Sequence, residues 1–174
     1  GIQLIARVAL PRSTDPRTVV GSNIDRIVKD SNANVVVARG DVRLPAARIL
    51  VPIQHPRHGH LMAGLAALMA SEEEAYIELV HVVGEGATPQ ERANRAAELR
   101  ESLSYLDVDP VEGITNGRSK RRFRIRIEAG DVVETLTERS KDFDLMMMGA
   151  SRESWVRRKV WGDKTARVAN EIDT

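Results

Sequence analysis

Asp144, Leu145, Met146, Met147, Met148 and Gly149 are followed at fixed distances by Arg152 and by Gly162 and Asp163. An apolar run that ends in glycine after one acidic residue reads as a buried parallel strand opening into a tight turn. Two residues separate Gly149 from Arg152, and nine separate Arg152 from Gly162. A helix over about residues 163–172 follows. Its first backbone N–H groups favour an anion or an internal carboxylate.

The same spacing occurs a second time near the start of the chain. Residues 3–8 stand where 144–149 stand, Pro11 matches Arg152, and Gly21 with Ser22 matches Gly162 with Asp163, without a gap. Ile24, Ile27 and Val28 then fall at helical spacing, and NVVVAR over residues 34–39 reads as a short β-branched strand. A self-similar tail ahead of a fresh domain is the mark of a tandem. The expected organisation is a strand–helix–strand ending of one repeat over residues 1–40, a linker over 41–46, and a second repeat over 47–174 that lacks its last strand.

Composition narrows the class. The 174 residues are 42% apolar, enough for one core, and carry a formal charge of +1, which gives no global case for nucleic acid. The absence of cysteine excludes disulfides, thiolate metal sites and thiol nucleophiles, and suits a reducing compartment. No apolar run approaches the roughly 20 residues that span a bilayer. Aromatic residues are 3% of the chain, too few for a base-stacking surface. The expectation is a cytoplasmic globular domain, tethered at the membrane if spanning segments precede it.

Between the two copies, strand and helix alternate. Residues 48–53 (RILVPI) and 75–83 (AYIELVHVV) read as strands, and 60–70 (HLMAGLAALMA) as an apolar helix of the kind buried against a sheet. Thr88, Pro89 and Glu91 form a capping box opening a helix to about residue 105, with Ala93, Ala96, Ala97, Leu99 and Leu103 on its inner side. A loop follows over 107–120. Residues 121–128 are the third strand, and Gly130 with Asp131 opens a helix ending near Asp142. This alternation implies a Rossmann-like, doubly wound parallel α/β sheet.

The spacing at Gly149, Arg152, Gly162 and Asp163 resembles the signature G-x2-G-x9-G-[ST] of the universal stress protein family, and the resemblance extends as fold over residues 48–172. It implies strand order 3-2-1-4-5 and an ATP site in which the glycines and a hydroxyl cradle the phosphates. Tandem copies in that family form cytoplasmic tails of amino-acid permeases and cation–chloride cotransporters, and the GSNIDRIVKDSNANVVVARG ending over residues 21–40 resembles those tails. In family members that bind ATP, an aspartate after the first strand contacts adenosine. Here that position is Gln54. Arg152 replaces the middle glycine and Asp163 the hydroxyl, so a degenerate nucleotide site is expected at Gln54, Gly149, Arg152, Gly162 and Asp163, with no ATP or other cofactor bound.

Other clusters have plainer readings. His55, His58 and His60 lie in the turn after the first strand and read as a polar turn rather than a metal site. His81 reads as a core or edge histidine. Arg122, Arg124 and Arg126 alternate with Phe123, Ile125 and Ile127, giving one basic and one apolar face. Charge on an edge strand prevents unwanted pairing, and the rival reading is attraction to anionic lipid. Trp155 and Trp161 flank Arg157, Arg158 and Lys159 and are expected to pack that loop down. No nucleophile–base pair or carboxylate dyad stands out, so no enzyme is expected. The partner expected is a second copy, through an unpaired 34–39 strand that docks beside the strand at Asp144 or exchanges with a neighbour's.

Overall fold

The computed structural model describes residues 4–7, 35–38, 43–56, 59–71, 74–104 and 122–148. These fall into two units. The first contains β1 (Leu4–Arg7) and β2 (Val35–Ala38), paired in parallel with Leu4 opposite Val35 and Arg7 opposite Ala38. Parallel pairing of these two strands agrees with the strand–helix–strand ending expected from the sequence. β1 occupies one side of the NVVVAR strand.

The second unit spans residues 43–149. Its elements are β3 (Arg48–Pro52), α1 (Gly59–Met69), β4 (Tyr76–Val83), α2 (Pro89–Leu103), β5 (Arg122–Ala129), α3 (Val132–Ser140) and β6 (Leu145–Met146). All pairings are parallel, in the order β5-β4-β3-β6. In the numbering of a single repeat this is 3-2-1-4, four of the five places that the doubly wound α/β order predicts. β6 is short, but Asp144 N–H donates to Arg48 (3.0 Å) and Met147 N–H to Leu50 (2.8 Å), extending the pairing at both ends.

β3 and β4 are central strands, and each buries both faces. Ile49, Val51, Ile77 and Leu79 meet α1 and α2 through Met62, Ala63, Ala66, Leu99 and Leu103. Leu50, Glu78 and Val80, fully buried, lie on the opposite side, where α3 packs against β4 and buries Val133 and Leu136. Small residues on α1 bring it close to α2. A Cβ on Gly59 would stand 2.6 Å from Ser102 Oγ.

Two helix expectations are corrected. In α2 only Leu99 and Leu103 are buried; Ala93 and Ala97 are exposed and Ala96 half-buried. The reason is that α2 meets the core through its second half alone, so its first turns stand in solvent. In α1 the apolar residues are not all inward: Leu61 and Leu68 are 46% and 74% exposed. Ala46, placed in the linker by sequence, is buried and joined to α1 by Ala46 N–H to Met69 and Ser71 N–H to Ala46.

The helix starts form as their sequences dictate. Thr88 Oγ1 accepts from Glu91 N–H (3.2 Å) while the Glu91 carboxylate accepts from Thr88 N–H (2.7 Å), and Asp131 caps α3 through Val133 and Glu134. Gly130, with φ 151°, turns the chain from β5 into that cap, a backbone that residues with a Cβ rarely adopt. Backbone and hydroxyl hydrogen bonds from Thr88 hold the Glu91 carboxyl below its ordinary value. This contribution is present above the usual carboxylate range and is lost as pH falls through the lowered value. Thr88→Ala is expected to lower stability by about 1 kcal/mol. Urea denaturation checks this, and a midpoint equal to the parent's would contradict the cap.

Candidate functional site

In an open parallel sheet, ligands bind outside the carboxyl ends of the strands, where the winding reverses. That point lies here between β3 and β6: β4 and β5 follow on one side of β3, and β6 lies on the other. Gln54 stands there, exposed, two residues beyond the end of β3. His81 supports it from β4, with Nδ1 at 2.7 Å from the Ile53 carbonyl oxygen. Ile53 N–H in turn donates to the Val80 carbonyl (2.8 Å). The backbone entering Gln54 is therefore pinned from the neighbouring strand. Half-buried His81 thus has a positioning role that its sequence context did not show.

On the other side of the switch point, Leu145 pairs with Ile49 and Met146 with Leu50. Met147 is buried in the core, as the apolar run implied. The glycine motif follows three residues after the end of β6. Gly149, Arg152, Gly162 and Asp163 themselves lie outside the described residues, as do His58, Trp155, Trp161 and the helix expected over 163–172. Among the described residues no group of three His, Cys, Asp or Glu is arranged to hold a metal ion.

Asp144, read from sequence only as the polar start of the strand, is a clamp. Its Oδ2 accepts from the backbone N–H groups of Arg48 (2.8 Å) and Ala47 (3.2 Å). A single carboxylate thereby ties the amino end of β6 to that of β3 and sets their register.

The larger surprise is Glu78, fully buried at the middle of β4. Burying a carboxylate is costly unless cations and hydrogen-bond donors surround it. Arg139 Nη2 on α3 lies 2.5 Å from Oε1, and Arg126 Nε on β5 lies 3.5 Å from Oε2. Tyr76 donates its hydroxyl to Oε2 at 2.7 Å. Glu128 stands between the same two arginines, at 3.4 Å from Arg126 and 3.6 Å from Arg139. Burial first, and then the hydrogen bond to Glu78, push the Tyr76 phenol above its ordinary 10.0. It stays a neutral donor at physiological pH, and its contribution declines as pH rises past 10, where the unfolded chain releases the proton first.

Tyr76, Arg126 and Arg139 of this network line a hollow of about 490 Å³ at the amino ends of the strands. Arg48, Tyr76 and Arg122 are the first residues of β3, β4 and β5 and lie in register across the sheet. Arg124 and Arg126 continue along β5 on the same face, as period-two alternation requires, and Arg139 closes the hollow from α3. The Arg48 guanidinium lies 5.7 Å from the centre of the Tyr76 ring and 5.4 Å from that of Phe143, two rings stacked 6.0 Å apart. The sequence marked β5 as a basic edge strand, and among the described strands it is the edge of its sheet. It did not reveal that Arg48 and Arg139 converge on the same hollow. The only trace was an acidic residue inside the run AYIELVHVV, which calls for cations from neighbouring elements.

A family model described as the Universal stress protein family matches residues 46–174 of the chain. No curated protein and no solved structure matches the chain.

Proposed function

Because this chain belongs to the universal stress protein family, we propose that it acts as a non-catalytic regulatory and dimerisation domain. In this reading it is the cytoplasmic tail of a membrane transporter of the amino-acid permease or cation–chloride cotransporter type, and the transporter's membrane domain is its partner. The observation that carries the reading is Gln54, exposed at the switch point in the place where ATP-binding members have an aspartate. Arg152 and Asp163 alter the phosphate end of the same motif. The tandem reading is supported by β1 and β2, which are parallel neighbours like the last two strands of a repeat. Among the described residues no helix is long and apolar enough to cross a membrane, so the tether would be a separate segment.

The second reading, an ATP- or AMP-binding stand-alone stress protein, is favoured by the family match itself. The reading frame of the whole gene discriminates between them: about a dozen spanning segments upstream supports the tail and their absence refutes it. The dimer has its own test. β2 is paired on one side by β1, and a second copy would use its other edge. Sedimentation at micromolar concentration is expected to show a species heavier than 19.3 kDa, which Val36→Lys reduces. A monomer unaffected by that substitution would remove dimerisation from the proposal.

A further inference from the structure

We propose that the arginine-lined hollow at the amino ends of β3, β4 and β5 is a binding site for a phosphate-bearing ligand, separate from the switch-point site. The two lie at opposite ends of the same strands. Gln54 stands six positions along the chain from Arg48, about 20 Å if extended.

Edge protection explains charge on β5, but it does not explain convergence. Arg48 comes from a central strand and Arg139 from a helix, yet both line the hollow with three arginines of the edge strand. Five guanidinium groups face three carboxylates, Glu74 in the lining and Glu78 and Glu128 in the ion-pair network, an excess of two positive charges. Asp144, whose Oδ2 is held by the backbone N–H groups of Ala47 and Arg48 beside the hollow, lowers this excess to one positive charge among the described residues. Arg126 and Arg139 neutralise Glu78 from above, so the buried carboxylate does not present its charge to an incoming anion.

Pre-organisation adds to charge. Arg48 is held against two aromatic rings, so less side-chain freedom is lost when it grips an anion. Guanidinium groups match phosphate oxygens in a bidentate manner, which a solvated lysine patch does not. The size fits too: about 490 Å³ is within the range of small-molecule sites and suits a compact organic phosphate or diphosphate, or one phosphorylated lipid headgroup. The net charge of +1 leaves the remaining surface without a comparable general pull on polyanions.

The test uses the 174-residue chain and the double variant Arg122→Gln/Arg124→Gln, whose two side chains are exposed in β5. Circular dichroism and melting temperature verify that the variant keeps its fold. Calorimetric titration with pyrophosphate is expected to show saturable binding that weakens at least tenfold in the double variant, while Gln54→Ala leaves it unchanged. Flotation with phosphatidylcholine vesicles containing phosphatidic acid is the second arm. Binding in solution alone identifies a soluble phosphate compound, and vesicle binding lost in the double variant identifies a lipid headgroup; both support the site. Absence of binding to both probes, binding that the double variant leaves intact, or binding abolished by Gln54→Ala overturns it.

Discussion

Arg139→Met is expected to lower the free energy of unfolding by about 3 kcal/mol at pH 7, because it leaves the Glu78 carboxylate buried beside one distant cation. In the parent chain Arg139 Nη2 lies 2.5 Å from Glu78, whereas Arg126 Nε is at 3.5 Å. The Tyr76 hydroxyl remains at 2.7 Å but brings no charge. Loss of packing does not explain an effect of this size, since methionine keeps most of the aliphatic stem. Glu78→Gln in the same background is expected to recover part of the loss, as an amide has no ion to desolvate. Urea denaturation of the two variants decides the matter. A change within about 0.5 kcal/mol for Arg139→Met, the range of ordinary surface substitutions, would show that the carboxylate does not depend on that arginine.

Magnesium ATP is expected to leave the melting temperature of the parent chain unchanged, and Arg152→Gly with Asp163→Ser is expected to create a response. A carboxylate at the start of the helix expected over 163–172 satisfies backbone donors that would otherwise hold a phosphate. Two like charges about 4 Å apart at an effective dielectric of about 20 repel by roughly 4 kcal/mol, near a thousandfold in affinity. Removing that repulsion and the side chain in the turn is expected to bring ATP binding into the millimolar range or tighter. A ligand at about 100 times its dissociation constant adds about 2.7 kcal/mol, a rise of several degrees. A clear shift of the parent with ATP, absent with sulfate, would favour the stand-alone nucleotide-binding reading. A double variant that stays unresponsive would place the defect at Gln54 instead.

Much of the fold was legible because its signals are local. Thr88 and Glu91 lie three residues apart, so their mutual capping depends on no distant part of the chain. Asp131 likewise caps α3 from an adjacent turn. The stretches RILVPI and AYIELVHVV read as strands from their apolar and β-branched content, and Ile49, Leu50, Val51, Ile77, Leu79 and Val80 are buried on both faces of the sheet. Alternation in the order strand, helix, strand then leaves few topologies, since right-handed crossovers are nearly obligatory. The switch-point location followed from the same order, and with it the place of Gln54.

What the sequence determined by itself was therefore the set of elements, their caps, the parallel winding and the altered residues of the glycine motif. Each of these rests on interactions within a few positions or on the period of one element. Tertiary structure alone decided which side chains from separate elements meet. Glu78 finds Arg126 in the neighbouring strand and Arg139 in a helix that crosses back over the sheet; Asp144 finds the amides of Ala47 and Arg48 almost a hundred residues earlier. Charge carries no periodicity that names its partner, and a buried carboxylate is tolerated only where the fold delivers cations to it. The helix faces were decided at the same level: Ala93 and Ala97 have the composition of a buried stripe but are exposed, because α2 meets the core through its second half.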